Sequence, residues 1–195
     1  EVSIAAINGP SSVVISGDQD AVVAVGSVLE SQGRKTQRLA VSHAFHSPQM
    51  EGMLAEFGRI AQGLTFQTPQ IPMVSNVTGE LADPELVCTP DYWVRHVRAT
   101  VRFADAIQTL VRQGVTTMLE LGPHGVLCAM AADCLDNTDT VIAVPTLRRD
   151  QPETNTLITA IAQLHTRGVE VDWRQFFAGT NAQHIDLPTY PFQHK

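Results

Sequence analysis

The 195-residue sequence predicts an α/β fold, and three observations carry that prediction. Between residues 50 and 144, short apolar runs alternate with stretches of helical spacing, the order that builds a parallel sheet covered on both faces. Ahead of them, strand, strand, helix and strand patterns fill residues 2–41. They make most of a small α+β sandwich that lacks one strand and one helix in front. At Pro145 and Leu147-Arg148-Arg149-Asp150 the texture changes, and one helix, one alternating strand and a proline-bearing tail follow.

Each element has its own signal. Val2 to Ile7 is a strand-like apolar run, Asn8-Gly9-Pro10 a turn, and Val13-Val14-Ile15 a second strand closed by Gly17. Asp18 caps a helix with Val22, Val25 and Leu29 at helical spacing and Gly33 as its stop. Residues 36–41 return as a strand through Leu39 and Val41. After Pro48, the residues Met50, Met53, Leu54, Phe57, Ile60, Ala61 and Leu64 hold the helical template for four turns. Ile71 to Val74 reads as a short strand entering the turn Asn76-Val77-Thr78-Gly79. Thr89 and Pro90 are an N-cap and first-position pair for a helix carrying Trp93 and Val97 on one face. Phe103, Ile107, Leu110 and Val111 mark the next helix, ended by Gly114. Met118 to Leu121 is a strand, Gly122-Pro123-His124-Gly125 a turn, Val126 to Cys134 a small-residue helix, and Val141 to Val144 a strand. Leu157, Ile161 and Leu164 define a last helix with Gly168 just past its end, and Val169, Val171 and Trp173 alternate as a strand. The tail Leu187-Pro188-Thr189-Tyr190-Pro191-Phe192-Gln193 is extended by its prolines, and Tyr190 and Phe192 are expected to anchor it on another surface.

Composition narrows the function. Hydrophobic residues make up 44% of the chain, enough for a core, and no apolar run approaches the roughly 18 residues of a membrane span. Twenty acids against thirteen bases give a net charge of −7, which argues against nucleic acid or an anionic membrane as partner. Cys88, Cys128 and Cys134 are too few for a disulfide scaffold, and a soluble cytoplasmic protein is the expectation.

Candidate chemistry centres on the histidines. His43 and His46 lie between a strand end and the strongest helix, where side chains stand beside free backbone N–H groups. Their HxxH spacing could bring two imidazoles to a metal. Zinc needs three or four ligands, however, and no second Cys/His pair at ligand spacing accompanies them, so no metal is expected. A hydrogen-bonded structural histidine is the plainer reading of each. No Gly-x-Ser-x-Gly elbow occurs in residues 1–195, and Ser11, Ser12, Ser42 and Ser47 are poorly placed as nucleophiles. Glu120 and His124 flank a strand-to-helix turn. Arg148-Arg149 could grip a phosphate, with a solvated surface pair as the plainer reading.

At these residues the chain resembles a known family. Ala5-Ala6-Ile7-Asn8-Gly9-Pro10 with Val14-Ile15-Ser16-Gly17 is similar to the acyltransferase domain of modular type I polyketide synthases. So are His43-Ala44-Phe45-His46-Ser47-Pro48, Asn76-Val77-Thr78-Gly79, Tyr92-Trp93-Val94-Arg95-His96-Val97 and Glu120-Leu121-Gly122-Pro123. Leu147-Arg148-Arg149, Val171-Asp172-Trp173 and Leu187-Pro188-Thr189-Tyr190-Pro191-Phe192-Gln193 resemble the linker that follows that domain. The motifs run in order across essentially the whole chain.

The resemblance implies the rear portion of an α/β-hydrolase-like body over residues 43–146. An incomplete ferredoxin-like subdomain would precede it over 1–42, with a post-acyltransferase linker over 147–195. It implies transfer of an extender acyl group from coenzyme A to the phosphopantetheine of an acyl carrier protein, with no cofactor bound by the domain. His46 matches the catalytic histidine, and the backbone carbonyl at His96 matches the acceptor that fixes its tautomer. The elbow serine and the arginine that grips the extender carboxylate are expected upstream of residue 1, so this chain would be inactive alone. Family members that carry the same string as His43-Ala44-Phe45-His46 take malonyl, whereas those with Tyr-Ala-Ser-His there favour methylmalonyl. His43 and Phe45 are therefore expected to line the substrate. Malonyl-CoA, the carrier protein and adjacent ketosynthase and linker domains are the implied partners. The competing readings are a non-catalytic scaffold or docking element and a thioester hydrolase.

Overall fold

The computed structural model describes residues 1–135, 140–183 and 185–189, so Tyr190 and Phe192 lie outside the described residues. The architecture is mixed α/β. Val2–Gly9 (β1) and Ser12–Gly17 (β2) form an antiparallel hairpin, with Ile4 opposite Ile15 and Gly9 opposite Ser12. Gln19–Ser31 (α1) follows, its N-terminus capped by the Asp18 carboxylate, which accepts from the Ala21 N–H at 3.1 Å. Glu51–Gln62 (α2) is led in by a 3₁₀ turn, Pro48–Met50. Pro84–Val87 (α3), Pro90–Arg98 (α4) and Phe103–Arg112 (α5) come next, with Thr89 capping α4 and Pro90 at its first position. Thr117–Glu120 (β3), Val126–Asp133 (α6) and Ile142–Pro145 (β4) make a right-sized strand–helix–strand unit with parallel strands. Glu153–Thr166 (α7) and Trp173–Phe176 (α8) close the order. No helix among the described residues is long and apolar enough to cross a membrane.

The core sits where α5 and α6 meet β3 and β4. Ile107, Ala131 and Cys134 are buried there, with Phe103, Leu110, Met118 and Ala143 packed around them. The front hairpin is stitched to the rest through Val101, which donates to the Ala5 carbonyl and accepts from the Ile7 N–H, both at 2.8 Å. Arg167, just past α7, donates to the Thr140 and Thr116 carbonyls at 2.7 and 3.4 Å, pinning that helix to the starts of the two parallel strands.

Among the described residues, three expected strands do not form as strands. Residues 36–41 are exposed and carry no ladder with β1 or β2. Ile71–Val74 is reduced to one bridge, Val74 to Leu81, because Pro72 cannot donate to a ladder. Val169–Trp173 joins no ladder among the described residues, and Asp172 instead caps α8 by accepting from the Gln175 N–H at 2.9 Å. The expected parallel sheet is, among the described residues, the single pair β3–β4.

Glu120 shows how a strand end is tied to the next helix. Its carboxylate accepts from the Leu127 and Cys128 N–H groups of α6 at 3.1 and 2.8 Å. Burial alone would raise its pKa, but the hydrogen bonds from Cys128, Leu127 and Val126 together hold it below the ordinary glutamate value. A depressed carboxylate stabilises the fold above its unfolded-state value, and that contribution is lost as pH falls through the folded value. Glu120→Gln should therefore cost about 1 kcal/mol at pH 7. In thermal unfolding the gap to the parent should narrow below about pH 4. An unchanged gap across that range would show that the charge is not what caps α6.

Candidate active site

The segment from Ser42 to Ser47 is shaped by hydrogen bonds that leave its backbone little freedom. Ser47 is fully buried; its hydroxyl donates to the Ala44 carbonyl at 2.6 Å and accepts from the Gln49 N–H at 3.3 Å. That places Pro48 at the first helical position and turns the preceding residue sharply. His46 has φ of +59°, in the left-handed region that non-glycine residues seldom occupy. Such a conformation costs about 1–2 kcal/mol and persists only where surrounding contacts dictate it. Here both its backbone groups are engaged: the N–H donates to the Val97 carbonyl at 3.2 Å, and the carbonyl accepts from the Ser3 hydroxyl at 2.8 Å. The imidazole Nδ1 meets the Ala99 carbonyl at 2.7 Å. A carbonyl only accepts, so Nδ1 carries a proton, and in the neutral imidazole the lone pair is on Nε2.

The orienting acceptor is thus Ala99, three residues beyond the expected His96. The helix geometry explains the shift. Helix α4 ends at Arg98, and Ala99 leaves it with φ −71° and ψ 150°, so its carbonyl is free of the helical ladder. Val97 and Ala99 lend their carbonyls to His46 in turn, and the end of α4 holds the His46 loop through orphan acceptors.

His96 presents its ring to this site. Its centroid is 6.3 Å from that of His46, nearly edge-on at 71°, and it also packs against Tyr92 and Trp93 at 6.2 and 6.0 Å. Burial first, and then the His46 imidazole, push the His96 pKa below the ordinary histidine value. The wall is braced from behind: the Tyr92 and Ser75 hydroxyls are 2.7 Å apart, and the Trp93 indole N–H donates to the Val87 carbonyl at 2.9 Å.

His43 makes its contacts within its own loop. Its Nδ1 lies 2.9 Å from the Ser42 hydroxyl, and its ring packs on Phe45 with centroids 5.7 Å apart. Phe45 is 50% exposed, a large ring held up at the surface of the loop. The serines near His46 are committed to these contacts. Among the described residues, no group of three or more His, Cys, Asp and Glu stands together as metal ligands. Cys128 and Cys134 are not activated: burial and the neighbouring Glu120 carboxylate push the Cys128 thiol up to about 11, and burial followed by Asp133 raises Cys134. Ser3, Val97 and Ala99 were invisible to sequence reasoning as site residues, because two of the three act through main-chain oxygens.

His46 combines a left-handed backbone with an imidazole held by a main-chain carbonyl, and comparison with known proteins supplies its setting. Residues 1–171 match the family model described as the acyl transferase domain. The chain belongs to the acyltransferase domain family. Over 198 residues it is 50% identical to the spectinabilin polyketide synthase system protein NorB of Streptomyces orinoci, covering all of this chain and 9% of that protein. Among solved structures, the acyltransferase domain from the second module of the salinomycin polyketide synthase superposes with a TM-score of 0.88 at 49% identity, covering 98% of this chain and 44% of that one. The malonyl-CoA:acyl carrier protein transacylase of Xanthomonas oryzae pv. oryzae gives a TM-score of 0.69 at 30% identity, covering 81% and 49%. The chain therefore spans a small part of the length of the curated relative and under half of the acyltransferase domain from salinomycin synthesis.

Proposed function

We propose that this chain is part of the acyltransferase of a polyketide synthase and moves a malonyl extender from coenzyme A to the phosphopantetheine thiol of an acyl carrier protein. The observation that carries this reading is the His46–Ala99 contact, which fixes Nδ1–H and leaves Nε2 as a base. In this reading residues 1–42 belong to a ferredoxin-like subdomain, 43–146 to a hydrolase-like body and 147–195 to the linker. The serine nucleophile comes from outside the chain, which supplies the histidine half of the dyad.

The proton has a simple itinerary. Nε2 of His46 takes it from the serine hydroxyl as the oxygen attacks the thioester carbonyl, then delivers it to the departing coenzyme A thiolate. In the second half, Nε2 takes the proton of the carrier thiol and returns it to the serine oxygen as the acyl group leaves. The imidazolium formed each time keeps its Nδ1–H bond to Ala99. Half-buried His96, held toward its neutral form, adds no second positive charge beside that imidazolium. An assay of malonyl release with and without carrier protein separates transfer from hydrolysis: product that needs no acceptor would make this a hydrolase. A chain that neither transfers nor hydrolyses within its intact parent would be a scaffold.

Selectivity is assigned to Phe45, braced by the His43 ring. The bulky ring fills the space that an α-methyl substituent requires, and one methyl is worth about 1–3 kcal/mol, or roughly 10- to 200-fold. In the intact acyltransferase, Phe45→Ser with His43→Tyr should cut the preference for malonyl-CoA over methylmalonyl-CoA into or below that range's lower end. Competition between the two donors for loading reads it out. Equal loading of both by the unmodified enzyme would remove selectivity from this loop.

A further inference from the structure

We infer that the groove between the turn after β4 and the start of α6 binds a phosphate of a pantetheine thioester. This rests on the acyl-transfer reading above. The groove has a volume of about 650 Å³; His124, Arg148, Arg149 and Gln151 rim it, and Val126 and Met130 are part of its floor. It opens at the carboxyl ends of both parallel strands, since β3 ends at Glu120 and β4 at Pro145. Ligands of open parallel sheets bind at that edge.

The arginines are set there by a built turn. The Gln151 N–H donates to the Arg148 carbonyl at 3.4 Å, and Asp150 takes a left-handed φ of +57°, which brings Arg148, Arg149 and Gln151 to one groove. Among the described residues neither arginine is held by a carboxylate, and the Arg148 charge acts on the nearby Cys128 thiol. Arg59, Arg98 and Arg112 pair with Glu56, Glu51 and Glu80, and Arg102 stands 2.7 Å from Asp105 in an ion pair without hydrogen-bond alignment. Among the described residues Arg148 and Arg149 form no ion pair and no side-chain hydrogen bond, although the chain carries seven more acids than bases. No carboxylate lines the groove, and Glu120 is already spent on the α6 N–H groups. Two guanidiniums and an imidazole over an apolar floor suit a phosphate joined to a pantetheine chain, because guanidinium clamps phosphate oxygens in pairs while the arm lies on apolar surface.

Coenzyme A and the carrier-protein arm share this chemistry, and the test separates them. The full-length protein carrying this chain is titrated calorimetrically with coenzyme A and with pantetheine, which has no phosphate. Coenzyme A should bind at least about tenfold more tightly, with the advantage shrinking as salt is raised. R148Q/R149Q should erase most of that advantage, and R148K/R149K should restore part of it. A second arm follows acyl transfer to holo carrier protein and to free pantetheine. A tenfold loss confined to coenzyme A assigns the groove to the donor, and a loss confined to the carrier assigns it to the carrier's phosphodiester. The proposal is overturned if neither falls, or if phosphate-free pantetheine falls equally. Titration needs no turnover. An enzyme that binds coenzyme A through these arginines yet transfers nothing would therefore sink the acyl-transfer reading and leave the groove standing.

Discussion

Formation of the acyl-enzyme is expected to slow by about three orders of magnitude or more when His46 is replaced, because a serine hydroxyl without its coupled base is a poor nucleophile. The choice of substituent matters because of the backbone. His46 sits at φ +59°, so His46→Ala removes the base and also places a residue with little left-handed tendency there. Asparagine tolerates that region and keeps a hydrogen-bonding group near the Ala99 carbonyl, so His46→Asn isolates the loss of the base. Both variants, measured by stopped-flow loading in the intact parent, should fall to a similar residual rate. A fast His46→Asn enzyme would mean that the histidine holds the loop and does no proton transfer.

A large stability effect is expected at Gly79. It closes the turn Asn76–Gly79 with φ +76°, and a methyl added there would overlap the Asp105 side chain at the start of α5. The Thr109 hydroxyl donates to the Gly79 carbonyl, so the turn has no room to retreat from α5. Left-handed alanine and overpacking together should cost about 2–4 kcal/mol. That corresponds to roughly 5–15 °C in melting temperature for a domain of this size. Gly114 is the control: its φ is +82° with nothing within 4 Å of an added methyl. Gly114→Ala should cost only the backbone share, about 1 kcal/mol. If the two variants melt together, the contact with Asp105 contributes nothing.

What the sequence disclosed follows from how locally each element is determined. Helices α1 and α4 were readable because Asp18, Thr89 and Pro90 satisfy or excuse N–H groups within the same few residues. Strands are defined by a neighbour, and neighbours are not written beside them. Leu39 and Val41 alternate as a strand should, yet nothing among the described residues pairs with them. Val171 and Trp173 alternate as well, but the Asp172 between them is a better helix cap than strand residue. At the site, His46 and the His43–Phe45 pair were legible as side chains in motifs. The Ala99 acceptor was not, since any residue type offers the same carbonyl and only the path of the chain after α4 selects one.

That acceptor has a consequence for how the domain can change over generations. A triad built from three side chains can be broken by a point mutation at any of its members. Here the partner of the His46 ring is peptide oxygen, which every residue type at position 99 supplies equally well. Drift at that position can alter the surface around the loop without shifting the proton on His46. The vulnerable event is a different one: a residue gained or lost between Pro90 and Ala99 would rotate the end of α4 and present another carbonyl, or none.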